Sequence, residues 1–320
     1  MRLIARLIFL LVLAAPNVAV TSRSDIAAYQ ALAKQDLLLA TVGYRLASAN
    51  VPFCQRKSRN PGWVLHDKAQ YPDPVTAQAA FGFRAPVAVS AVVPGGPAEA
   101  LGFKASDGII AINGAALSDL KHGQEKASGE RLEKLQDMLA DALDTTGAAE
   151  ITIMAAEGRK TLTVTPPAIC ASRFWVDTKS KLDAGADGVS VRVTEGLMAF
   201  TANEEAQLAA VVAHELAHNL LAHRQQLAAK GPGKKHILST EIEADRLSVW
   251  LMANAGYDVA AAPRFIERFG RKTGLGIFSA GTHLRWKNRQ RVLQEEITAI
   301  SQMVGKDGLR PPPLLVADQL

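Results

Sequence analysis

The sequence predicts an α+β protein of more than one domain, on three observations. Helical hydrophobic spacing marks the two ends of the 320-residue chain, while the middle carries short alternating runs. Turn residues punctuate that middle block from about 80 to 167. Composition is 48% hydrophobic and 21% charged, which excludes both a disordered chain and a single small disulfide scaffold.

Residues 1–22 have the layout of a signal peptide: Arg2 and Arg6, an apolar run from Leu7 to Ala15, and small residues around Ala19 to Ser24. Export to a periplasm or beyond is expected, with an uncleaved anchor as the alternative. Two cysteines follow, Cys54 and Cys170. In an exported chain they allow one connectivity, so a Cys54–Cys170 disulfide is expected, against two buried free thiols. The net charge of +5 is a small excess of 36 basic over 31 acidic residues. It gives no nucleic-acid footprint. Peripheral membrane association and the oligomeric state are left open.

The segment 23–79 opens with a helix from Ser24 to about Asn50, on which Ile26, Tyr29, Leu32, Leu38 and Val42 fall near a 3.6 period. Asn60, Pro61, Gly62, Pro72 and Pro74 then break regular structure, and the segment is expected to pack on the C-terminal domain. Between 80 and 167 come Val87, Val89 and Val92, then Ile109, Ile110 and Ile112 closed by Asn113-Gly114. A helix with Leu132, Leu135, Leu139 and Leu143 on one stripe follows, then a hairpin turning at Glu157-Gly158. Through Gly96-Pro97-Ala98, Ala100-Leu101-Gly102, Asp107 and Ile112-Asn113-Gly114 this block resembles a bacterial PDZ domain. The resemblance implies peptide capture, with Phe81-Gly82-Phe83 as the loop that holds a C-terminal carboxylate; core phenylalanines beside a turn glycine are the alternative. Ser106 stands where such domains usually have glycine.

The third domain, 168–305, starts with an alternating strand through Val189, Val191 and Val193, read as an edge on which a substrate backbone lies extended, with Val189 and Val191 in contact. A Pro-rich tail, 306–320, is expected to be loose. The helix that follows the strand contains His214-Glu215-Leu216-Ala217-His218, with Thr201 and Glu204 spaced as a capping box. Residues one turn apart share a face, so His214 and His218 can grip one zinc ion while Glu215 reaches a water there as general base. His223 falls about half a turn away on the same helix and is read as facing elsewhere. A catalytic zinc usually takes three protein ligands. Glu241, at the start of a second helix running to Ala255, is the better candidate for the third. Asp245, one turn on, then accepts the other ring N–H of a ligand histidine, and Glu243 points to solvent. His66, His122 and His236 have no partner pattern and are read as solvated.

These motifs, with Glu241-Ile242-Glu243-Ala244-Asp245 and Ala255-Gly256-Tyr257-Asp258, resemble the zinc metallopeptidase family of CAAX prenyl proteases, HtpX-like and BepA-like enzymes. The resemblance implies a mainly helical gluzincin-type domain with a small edge-stranded sheet, one zinc per chain, and protein or peptide substrates. It also implies a catalytic role for His283 or Arg289 in stabilising the oxyanion, with a latch at the zinc's open position as the alternative for His283 and with Leu284 departing from the proline usual there. The expected function is an exported zinc endopeptidase of envelope quality control. The alternative is a chaperone or adaptor that binds protein C-termini through the PDZ-like block.

Overall fold

Helix α1 (Arg23–Ala49) buries Leu39, Val42, Gly43, Leu46 and Ala47, one stripe at helical spacing. The computed structural model describes residues 23–120, 128–202, 204–273, 286–303 and 308–316; the leader, His122, His283 and Leu284 lie outside them. Gly43 is required by close approach, because a Cβ there would fall 2.4 Å from the Phe174 ring. A 3-10 turn leads to Cys54 and β1 (Lys57–Arg59). Cys54 is bonded to Cys170, 116 residues on, with Cα atoms 5.5 Å apart. Chain-entropy reasoning gives a loop of that length about 4–5 kcal/mol of stabilisation.

Strand β2 (Trp63–Asp67) precedes α2 (Pro74–Phe81), which Asp73 caps by accepting Val75 N–H and Thr76 N–H, with Pro74 in the first turn. Then come β3 (Val87–Val92), the single turn α3 (Pro97–Ala100), β4 (Gly108–Ile112) and β5 (Ala115–Ala116). Asn113 and Gly114 both take positive φ, 48° and 80°, and turn β4 into β5. Helix α4 (Glu130–Thr146) leads into the hairpin of β6 (Ala149–Ala155) and β7 (Gly158–Val164). These strands form one antiparallel sheet in the order β2-β3-β4-β6-β7, with β5 on β4. Leu135, Leu139 and Leu143 of α4 close its core over Val87, Ile109, Ile151 and Ile153. The sheet therefore reaches further back than residue 80: β2 belongs to it, and the buried Asp67 at its end holds Arg131 of α4 through both carboxylate oxygens.

Two expectations change in this block. Phe81 ends α2 and Gly82 caps it in the left-handed region, its N–H already donated to Gln78 O. Phe83 is buried with Phe81 against Tyr29, Tyr71 and His66. The rings of both phenylalanines and the Gly82 N–H are thus engaged, which fits the alternative of core phenylalanines beside a turn glycine. His66 is buried too, bonded to the Tyr71 hydroxyl at 3.0 Å, and burial pushes it down to about 3, so it is neutral and not solvated. Ser106 does adopt the glycine-like backbone, φ 71°, and its hydroxyl donates to Phe81 O.

The third region begins with β8 (Ala168–Cys170), paired to β1, and β9 (Arg173–Asp177). Next are β10 (Ala184–Ala186), β11 (Ser190–Thr194), α5 (Glu195–Thr201) and α6 (Glu205–Leu220). They are followed by α7 (His223–Lys230), α8 (Lys234–Asn254), α9 (Ala261–Thr273), α10 (Trp286–Gln302) and the turn α11 (Pro313–Val316). One core joins α6, α8, α9 and α10 to Leu39, Val42 and Leu46 of α1. Among the described residues no helix is long and apolar enough to cross a membrane. The segment expected to be loose packs over 308–316: Asn254 bonds both Arg310 N–H and Arg310 O, and Leu315 enters the main core. Thr201 and Glu204 form no capping box, since the Thr201 hydroxyl is spent on Leu197 O and Met198 O inside α5.

Candidate metal centre

Helix α6 is buried on almost every face, and this fixes the motif it carries. His214 and His218 lie one turn apart, and their Nε2 atoms converge to 3.2 Å. Helix α8 crosses α6 and brings Glu241 to both: Oε2 is 3.4 Å from His214 Nε2 and Oε1 is 3.4 Å from His218 Nε2. Ligands about 2.0–2.1 Å from a tetrahedral zinc stand about 3.3 Å apart; the two ring nitrogens have that spacing, and the Glu241 carboxylate faces each of them with a different oxygen, so that one atom from each of the three residues lies within 4.8 Å of the others. The donor set, two imidazoles and a carboxylate, is the one an open catalytic zinc site uses. Among the described residues no other group of three such side chains lies close enough to hold a metal.

Behind His214, the Asp245 carboxylate lies 3.0 Å from Nδ1, one helical turn along α8 from Glu241. Asp245 is held in turn by Arg289 of α10, whose Nε donates to Oδ2 at 2.7 Å and whose Nη2 donates to Oδ1. Arg289 is buried, 2% exposed, and its two shorter bonds go to Asp245, with Nη2 also 3.4 Å from His214 Nδ1. The role expected for it at the oxyanion is therefore corrected: it positions a carboxylate, because α10 delivers the guanidinium behind the histidine. His283 lies outside the described residues.

The electrostatics suit a bound cation. Glu215, Glu241 and Asp245 are all buried, and Arg289 is the one arginine among the described residues that is buried with them. Burial opposes charge on His214, yet its bonds to Asp245 and Glu241 carry it up to about 10; a metal dication meets the same demand by displacing that proton. Burial, then the charge on His214, pushes His218 down to about 3, which leaves its lone pair for a metal. Burial raises the Glu215 carboxyl to about 7, while His214 draws it down.

Three residues near the site were misplaced by sequence reasoning. His223 does not continue α6, because that helix ends at Leu220 and Ala222 takes a left-handed conformation, φ 53°, before α7 starts. The reversal sets His223 Nδ1 2.8 Å from His218 Nδ1. Helix α8 begins at Lys234, about two turns before the expected start at Glu241, so Ser239 and Thr240 lie within it. Glu243, with its side chain 34% exposed, lies beside α7 and bonds His223 Nε2 at 3.2 Å. The third is Val191, which is fully buried on the central strand of a sheet ordered β10-β11-β9. The free edge on the site side is β10, where Gly185 and Ala186 line a cleft of about 410 Å³ with Glu215, His218 and Glu241. Val189 is exposed, away from that cleft and in the wall of another cavity. His236 is exposed, as expected.

Asn219, beside His218, was not singled out in the sequence. It accepts Gly188 N–H and donates to Ser190 O and Ser172 Oγ, which clamps the β10–β11 turn to the metal-binding helix. No curated protein matches the chain. A family model does, over residues 172–238: Peptidase family M48, a family of zinc metallopeptidases, and the matched stretch contains His214, Glu215 and His218.

Proposed function

We propose that this chain is an exported zinc-dependent endopeptidase that hydrolyses peptide bonds of protein substrates, misfolded or misassembled envelope proteins among them. The observation that carries the reading is Glu215, buried next to three converging ligand atoms and open to the cleft beside β10. His214, His218 and Glu241 would hold one zinc ion, which supplies Lewis acidity to the scissile carbonyl and the attacking water. An extended substrate pairs along the free edge of β10, which sets its scissile bond across the end of α6. Glu215 takes a proton from water at its carboxylate as the water oxygen bonds the carbonyl carbon. It then delivers that proton to the amide nitrogen as the C–N bond breaks. No covalent acyl intermediate is needed. The leader and the Cys54–Cys170 bond support export.

A second reading, capture of protein C-termini by the PDZ-like block, is favoured by a cavity of about 940 Å³ between α1, β2, α4 and β9. Its walls include the edge strand β2, Leu132 and Leu139 of α4, and the exposed Trp175. Casein cleavage separates the two. The peptidase reading expects hydrolysis that a zinc chelator abolishes and added zinc restores; hydrolysis unaffected by chelation, or none from zinc-loaded protein, contradicts it.

A further inference from the structure

His218 can offer a metal only Nε2, because that is the atom facing His214 Nε2 and Glu241. A neutral imidazole that ligates through Nε2 carries its proton on Nδ1. That Nδ1 lies 2.8 Å from Nδ1 of His223, and two ring nitrogens at this distance share one hydrogen, so one donates and the other accepts. The donor is then His218, and the acceptor nitrogen of His223 is unprotonated. The His223 proton sits on Nε2 and is donated to Glu243 Oε2 at 3.2 Å. Glu243 is itself fixed, since its Oε1 accepts the Ser239 hydroxyl at 2.9 Å. Every polar atom in this line has one assignment, and the direction of donation runs from the metal site outward.

We propose that His223 and Glu243 are positioning residues for the metal: they hold the proton of His218 on Nδ1, orient the ring, and raise its basicity toward zinc. The inference rests on the zinc reading above. It makes the centre two-armed. His214 leans on Asp245 and Arg289, and His218 leans on His223 and Glu243, with Glu241, Glu243 and Asp245 supplied by little more than one turn of one helix, α8. The two arms differ in chemistry. A carboxylate locked by arginine accepts directly from His214, whereas His218 reaches its carboxylate through a neutral ring that is 1% exposed.

The test is zinc affinity of the full-length protein, measured by competition with a chromogenic chelator, together with the proton positions of the histidine rings by nitrogen-15 NMR of the zinc-loaded wild type. His223→Leu is expected to weaken zinc binding about 10- to 100-fold, and His223→Asn, whose amide oxygen can accept from His218, to recover part of it. Glu243→Gln should fall between wild type and His223→Leu. Stability of the metal-free protein is followed in parallel. Loss of stability with unchanged zinc affinity would mean a merely structural histidine and overturn the proposal. So would an unprotonated His218 Nδ1 in the zinc-loaded wild type, a result that holds whether or not His223→Leu folds. A wild type that binds no zinc would overturn the zinc reading itself, whereas tight zinc in wild type and His223→Leu alike would overturn only this inference.

Discussion

Glu215→Gln is expected to keep zinc at the wild-type level and to lower casein hydrolysis about 10²- to 10⁴-fold, the usual worth of a positioned general base. The split follows from placement. Glu215 lies on α6 next to His214, yet the three converging donor atoms belong to His214, His218 and Glu241, and Glu215 is not among them. An amide fills the same space and can neither take nor return the proton. Because Glu215 is buried and opens on the β10 cleft, its loss should fall on turnover with little change in KM. Loss of zinc from this variant would make Glu215 a ligand and undo the division of labour.

The second large effect is expected at Asp245. Replacing it with asparagine leaves the Arg289 guanidinium buried without its carboxylate, and breaking such a pair costs about 3–5 kcal/mol. Zinc affinity should fall as well, about 10- to 100-fold, because the neutral amide oxygen that remains is a weaker acceptor for the His214 Nδ1 proton than the carboxylate it replaces. The two losses separate in a double variant. Asp245→Leu with Arg289→Met removes both buried charges and is expected to recover much of the stability in chemical denaturation while zinc binding stays weak. Recovery of zinc affinity along with stability would mean that the pair only packs α8 against α10.

The centre was legible in the sequence where helical period alone decides geometry. His214 with His218, and Glu241 with Asp245, are each one turn apart on helices whose existence the apolar spacing announces. What was missed depends on where helices stop. Nothing in Leu220-Leu221-Ala222 marks a break, and alanine disfavours the left-handed backbone that Ala222 adopts, so a continuous helix carried His223 to the wrong side. Glu243 was sent to solvent for the same reason, because only the break after Leu220 brings α7 and His223 against that side of α8. Arg289 shows a different limit: a charged residue on a helix reads the same whether it meets substrate or a buried carboxylate. Strand order was also out of reach, because Val189 to Val193 alternates in the same way at an edge or in the middle of a sheet; here the parallel partner β9 makes β11 central. For β2, Pro61 and Pro72 on either side obscured a strand that belongs to the sheet.

Metal content tests the central claim most directly. Purified wild-type protein, metal-loaded, dialysed and assayed by atomic emission, is expected to hold about one zinc per chain, and Glu241→Ala, lacking the carboxylate that faces both histidines, to hold far less under the same dialysis. Wild-type zinc in Glu241→Ala, or no zinc in the wild type, would contradict the assignment of His214, His218 and Glu241 as the metal site.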